Sequence, residues 1–151
     1  MAHKHYMALA LAQARMAAAV DEVPIGAVLV NSGQVVASAH NATISQCDPT
    51  AHAECEVIRN AARVLGNHRL VGSTLYVTLE PCMMCVGAMI QARIASLHYA
   101  ADDRRVGVIS TGWLKQVAGL NHQMEVHGGL MAQESAAILE QFFHRKRGNQ
   151  S

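Results

Sequence analysis

The chain has 151 residues, a formal net charge of +1, 51% hydrophobic residues and 15% charged ones. That length and apolar content predict one domain, residues 1–151, with a substantial core, and exclude intrinsic disorder. The near-neutral balance excludes a globally basic nucleic-acid binder, so any RNA contact has to come from a local patch.

Residues from about His5 to Asp21 are rich in Ala, Leu, Met, Gln and Arg and contain no Gly or Pro, which predicts a helix ended by Pro24. Gln13 and Arg15 interrupt its apolar centre, and no stretch approaches the roughly 20 apolar residues of a membrane span. No membrane association and a cytoplasmic location are therefore expected. Ile25 to Val30 reads as a buried strand, Asn31-Ser32-Gly33 as a turn, and Gln34 to Ala39 as the returning strand of a hairpin. Asn41 to Thr50 is a polar loop.

A second helix is expected from near Ala51 with Thr50 as its N-cap, stopped by Gly66. Cys55, Ile58, Ala62 and Leu65 recur at helical spacing and predict its core-facing stripe. Thr74 to Leu79 is rich in β-formers. Pro81 suits the first turn of a helix running to about Gln91, with Met83, Met84 and Met89 expected to fill the core. Ser96 to Ala100 predicts another strand, Asp102 to Asn121 loop and short helix, Met124 to His127 a last short strand, and Leu130 to Arg147 a terminal helix with a basic end. Strands alternating with helices imply an α/β fold: three layers, α/β/α, around a mixed central sheet of about five strands.

Two proline-led stretches carry the chemistry. Asp48-Pro49-Thr50-Ala51-His52-Ala53-Glu54 offers a His and a Glu; Leu79-Glu80-Pro81-Cys82-Met83-Met84-Cys85 offers two cysteines three apart at a helix start, hence on one face. A helix N-terminus favours thiolates, the metal-binding form of Cys. His52, Cys82 and Cys85 match the three protein ligands of a catalytic zinc site whose fourth position is held by water. Zinc lowers the pKa of such a water towards about 7. Glu54, two residues beyond His52, leaves the same turn in another direction, as a general acid/base beside that water should.

Cys55 supplies a rival reading, because it follows His52 by three residues and would complete a closed Cys3His structural site. Its alternative role is that of a small buried hydrophobe. A redox Cys-x-x-Cys has no support beyond its spacing. Glu80 either orients a metal ligand or accepts backbone hydrogen bonds. His3, His5 and His144 are expected in solvent, and His40, His68, His98, His122 and His127 have no ligand partners at suitable spacing.

His52-Ala53-Glu54 with Pro81-Cys82-Met83-Met84-Cys85 resembles the signature of the zinc-dependent nucleoside and nucleobase deaminases of the cytidine/deoxycytidylate deaminase superfamily. Glu22 to Val30, Asp48 to Glu54, Thr74 to Cys85, Gly87 to Ile90, Asn121-His122 and Phe142-Phe143 with its basic end look like the bacterial tRNA-specific adenosine deaminases among them. The resemblance implies a cytidine-deaminase-like fold, a homodimer and one Zn2+ per subunit. It also implies conversion of adenosine to inosine at the wobble position of a tRNA anticodon stem-loop. Glu54 would then move the protons, while Ile25, Asn41 and backbone N–H groups hold the purine. Asp103 and Arg105 would lie near the nucleotides around a flipped base, and Phe142, Phe143, Arg145 and Arg147 along the anticodon loop. A free nucleobase or nucleoside as substrate, or a non-catalytic zinc-stabilised scaffold, are the alternatives.

Overall fold

The structure, a computed structural model, describes residues 2–116 and 123–148. Helix α1 (Ala2–Ala19) precedes a hairpin of β1 (Gly26–Asn31) and β2 (Gln34–His40); α2 (Ala53–Leu65), β3 (Thr74–Leu79), α3 (Met83–Gln91) and β4 (Ser96–Ala101) follow. The short helix α4 (Trp113–Gln116), β5 (Glu125–Gly128) and α5 (Ala132–Gly148) complete it. The expected Asn121-His122 segment lies outside the described residues.

The five strands form one sheet in the order β2-β1-β3-β4-β5. β1 runs antiparallel to both β2 and β3, whereas β3, β4 and β5 are mutually parallel. Parallel neighbours need crossovers, and α3 provides the one between β3 and β4. The predicted mixed five-stranded sheet, with helices on both faces, is what the chain builds.

Each face has its own core. Ala53, Val57 and Ala61 of α2 and Cys85 and Met89 of α3 pack with Leu29, Leu75, Val77 and Leu97 of the sheet. On the other face Met7, Ala10 and Leu11 of α1 pack with Val28, Val30, Tyr76 and Ala100. Strand residues alternate between the two cores because successive side chains point to opposite sides. Gly26 is required where α1 crosses β1: a Cβ there would lie 2.6 Å from the backbone nitrogen of Ala14.

Four local expectations are corrected. Helix α2 begins at Ala53 with His52 at the N-cap, not at Ala51 after a Thr50 cap. Thr50 instead donates its hydroxyl to Asp48 Oδ1 at 2.7 Å, while its own N–H bonds the same oxygen, so Asp48 closes the turn that precedes the helix. The buried positions of α2 are Ala53, Glu54, Cys55, Val57 and Ala61; of the predicted stripe, Cys55 is buried and Ile58 and Ala62 pack partly buried against the same core, whereas Leu65 is 43% exposed. Helix α3 starts at Met83 with Cys82 at the N-cap, so Pro81 lies just before the helix. That setting leaves Met83 exposed while Met89 is buried.

Candidate metal centre

The N-termini of α2 and α3 meet beyond the carboxyl end of β3. His52 is the N-cap of one helix and Cys82 the N-cap of the other, both extended (φ −71°, ψ 150° and φ −83°, ψ 175°). Cys85 lies one turn further on in α3 and is buried. An extended N-cap turns its side chain across the helix mouth instead of along the helix. His52 therefore points at the two sulfurs: Nδ1 lies 3.4 Å from Cys85 Sγ and 3.7 Å from Cys82 Sγ, and the sulfurs are 3.8 Å apart. These three groups form the set of ligand atoms close enough to share one ion among the described residues. His52, which is 30 and 33 positions from the two cysteines in the chain, is thus brought against them, and the three form a group placed to hold a metal ion.

The electrostatics follow from that convergence. A hydrogen bond from Cys85, and then one from His52, hold the Cys82 thiol down at about 3, against the cost of burial. The bond to Cys82 raises His52 above the ordinary imidazole range. Cys85 is pushed up, because its proton is shared with the sulfurs of Cys55 and Cys82. Glu54 is 4% exposed, and burial pushes its carboxyl up to about 7, although its own backbone N–H and the Cys85 side chain favour the ionised form.

Cys55 is the test of the closed-site reading. Its sulfur is 3.9 Å from Cys85 Sγ, yet it does not join the close group of His52, Cys82 and Cys85. It belongs to the apolar core with Val57 and Ala61. Among the described residues, the close group therefore contains two sulfurs and one imidazole.

Two further buried carboxylates, Glu22 and Glu80, anchor loops. Glu22 accepts the backbone N–H groups of Ile44 (3.1 Å) and Ser45 (2.6 Å), fastening the loop that leads from β2 to His52. Burial alone raises such a carboxyl; the donated N–H groups outweigh it and Glu22 lies below its ordinary value. Glu80 is lowered in the same way, burial being outweighed by hydrogen bonds from Ser110, Asp103 and Ile109. Of its two expected roles, Glu80 has the second: it accepts backbone and hydroxyl hydrogen bonds. In the sequence Glu22 marks only the start of a resembling segment, and its role as the anchor of the loop that leads from β2 to His52 was missed.

The remaining predicted positions fall in three places. Asn41 is buried and donates its backbone N–H to the carbonyl of Ile25 at 3.0 Å, so these two adjoin at the end of the hairpin. Asp103 Oδ1 accepts the N–H groups of Arg105 (3.0 Å) and Val106 (3.4 Å), closing a tight turn that exposes Arg105. On α5, Phe142 is buried and Phe143 is 39% exposed. Arg145 donates to the carbonyl of Ala18 at 3.2 Å and, with Lys146, pairs with Asp21 at the end of α1. Arg147 faces solvent.

His3 is exposed, as expected, but it is not without partners. Its Nδ1 is 2.7 Å from the hydroxyl of Tyr76, and its ring stacks on His98 at 4.2 Å. His98 also stacks on His127 at 4.8 Å.

A family model for MafB19-like deaminases matches residues 1–147. The tRNA-specific adenosine deaminase of Agrobacterium fabrum is 50% identical over 95% of both chains. That of Bacillus subtilis is 43% identical over 94% of this chain and 89% of its own. A solved structure from a study of A-to-I editing by tRNA:A34 deaminases is 50% identical and superimposes with a TM-score of 0.86, covering 89% of this chain and 99% of that one. A guanine deaminase from Nitrosomonas europaea is more distant, 25% identical with a TM-score of 0.78 over 92% of this chain and 83% of that one. The His-Cys-Cys centre thus sits in a chain matched along nearly its whole length, and that chain belongs to the tRNA-specific adenosine deaminases of the MafB19-like deaminase family.

Proposed function

We propose that this chain hydrolytically deaminates adenosine to inosine at the wobble position of a tRNA anticodon, as one catalytic domain that works as a homodimer. The observation that carries the chemistry is the triangle of His52, Cys82 and Cys85 with a buried Glu54 beside it. A tetrahedral Zn2+ with bonds of about 2.3 Å to sulfur and about 2.0 Å to nitrogen requires edges of about 3.8 Å between sulfurs and about 3.5 Å from nitrogen to sulfur. The distances of 3.8, 3.7 and 3.4 Å fit that ion. Two thiolates and an imidazole are also a donor set that suits zinc. His52, Cys82 and Cys85 would hold the ion, which when bound would supply Lewis acidity for activating water.

The chain's own residues supply the rest. Glu54 moves the protons: it takes one from the attacking water and delivers it to the purine ring nitrogen, then takes the remaining proton from the new C6 hydroxyl and passes it to the amino group, which leaves as ammonia as the C6 carbonyl forms. A carboxyl raised to about 7 is suited to both accepting and donating near neutrality. Ile25 and Asn41, held together at the hairpin end, support the purine. Asp103 shapes the turn that presents Arg105 to the neighbouring nucleotides. Phe143 and Arg147 are the members of the terminal set that face the RNA, while Phe142 and Arg145 seat α5 on α1. A base in a loop leaves its stack at lower cost than a paired one, which suits an anticodon to a recessed centre.

The test is incubation of the zinc-loaded protein with an anticodon stem-loop carrying adenosine at the first anticodon position, followed by mass spectrometry. Inosine is the expected product, and its yield falls steeply with salt if phosphate contacts hold the RNA. Intact adenosine together with turnover of free guanine or cytidine overturns the substrate assignment. Light scattering should give twice the chain mass.

A further inference from the structure

Beyond the metal centre, the structure contains a second polar assembly that the chemistry of deamination does not require. Glu80, 2% exposed, stands between the end of β3 and the Pro81-Cys82 pair. Its Oε1 accepts the N–H of Asp103 (2.9 Å) and the hydroxyl of Ser110 (2.6 Å); its Oε2 accepts the N–H groups of Ile109 (2.8 Å) and Ser110 (2.7 Å). The 103–110 segment is wound around this one carboxylate. Gly107 lies so close that a Cβ there would meet the carboxyl group itself and the carbonyl of Asp103. The Glu80 backbone N–H bonds the carbonyl of Ala101 at 2.8 Å, and Val108 N–H reaches the carbonyl of Pro81 at 3.3 Å.

The wound segment forms one wall of a cavity of about 390 Å3 that is also lined by Cys82, Met83 and Trp113. The same carboxylate thus joins two things through two bonds of chain on one side and four hydrogen bonds on the other. One is the cysteine ligand Cys82; the other is the wall carrying Arg105 and Val106. Hydrogen bonds to a buried ionised group are strong and directional, so the spacing between ligand and wall is held within narrow limits.

We propose that Glu80 is a positioning residue that sets the 103–110 wall against the metal centre and thereby determines how tightly the RNA substrate is held. This rests on the tRNA reading above. Glu80 touches neither the metal ligand atoms nor the reacting base, so its effect falls on substrate binding more than on the chemical step.

The experiment compares E80Q, G107A and S110A with the wild type as zinc-loaded full-length chains. Metal content, kcat and KM for the adenosine stem-loop, and amide hydrogen exchange without RNA are measured at a temperature where each variant is folded. In E80Q a carboxylate oxygen is replaced by an NH2 group that faces N–H donors. In G107A a methyl group crowds the carboxylate from the loop side, so the test stands if E80Q fails to fold. Both variants are expected to raise KM at least fivefold with kcat within threefold of wild type and metal retained. S110A should shift KM in the same direction by less. Exchange at the amides of Asp103, Ile109 and Ser110 should accelerate at least tenfold in E80Q.

KM within twofold of wild type in folded E80Q or G107A overturns the proposal. So does a joint loss of metal and kcat, which would mean that Glu80 acts through Cys82. Exchange is read without substrate, so the two readings fail separately. If the wild type leaves adenosine intact, the tRNA assignment falls; if exchange at the three amides is unchanged, the role of Glu80 falls.

Discussion

The two faces of the sheet bury histidines to opposite ends. On the α2 and α3 face, His52 meets two sulfurs and lies near a buried carboxyl, and the hydrogen bond to Cys82 raises its affinity for a proton. On the α1 and α5 face, His98 lies among the rings of His3, Tyr76 and His127, and burial pushes it down to about 4, with the neighbouring histidines adding to the effect. The same residue type thus faces two sulfurs at a helix N-terminus on one side of the sheet and packs as a neutral ring on a strand on the other. What differs is the chemistry of the neighbours. Soft donors and a carboxyl converge where two helix N-termini meet, whereas His98 is covered by the ring of Tyr76 and by those of the exposed His3 and His127. The comparison teaches that burial alone does not make a functional histidine.

The sharpest way to break this comparison is to remove chemistry from the first face and leave its packing. E54A should lower kcat at least about 100-fold, the range for a lost general acid/base, while zinc stoichiometry stays at that of the wild type. Metal analysis with single-turnover kinetics checks it; loss of zinc in E54A would place Glu54 among the ligands. A perturbation of the second face should do the reverse. G26A drives a methyl group into the backbone of α1 at Ala10 and Ala14, and a cost of about 3 kcal/mol is expected. Denaturant melts should show that loss while metal content in the folded fraction is unchanged.

A smaller effect concerns pH. A histidine whose folded pKa is depressed to about 4 binds fewer protons in the folded chain than in the unfolded one, where its pKa is about 6.5. Its contribution to stability is therefore fully present above about pH 6.5 and is lost as pH falls through the interval down to about 4. H98F should flatten the stability profile in that interval. Glu22 behaves in the opposite window: lowered in the folded chain, it contributes above its unfolded value and loses that contribution only in stronger acid. Denaturant midpoints across pH 3 to 8 separate the two. The smallest change expected is C55A, about 1 kcal/mol of stability with zinc stoichiometry untouched, because Cys55 packs with the core outside the ligand group. Zinc loss in that variant would restore the closed structural site.

The order of elements, the mixed sheet and the candidate His-Cys-Cys group were legible in the chain because each rests on a short-range signal. β-formers at Thr74–Leu79, turn residues at Asn31-Ser32-Gly33, and cysteines three apart after a proline are local facts, and the strand, the turn and the two-sulfur face follow from them. Helix starts were less legible. Thr50 and Pro81 carry good capping and first-turn chemistry, but His52 and Cys82 take the N-cap positions, since their side chains have to face each other. Long-range pairing lay beyond the sequence altogether. Nothing near Glu80 announces that its carboxylate will gather amides from Asp103, Ile109 and Ser110, or near Glu22 that it will hold Ile44 and Ser45. Nor does spacing decide Cys55, which is three residues from His52 and yet outside the ligand group. The sequence by itself determined which side chains have the chemistry for a hydrolytic metal centre and which segments are helix or strand. Only the tertiary structure decided which sulfurs share the site and which carboxylates are spent on loops, because those choices depend on the rotation of α2 and α3 about their axes and on contacts between residues far apart in the chain.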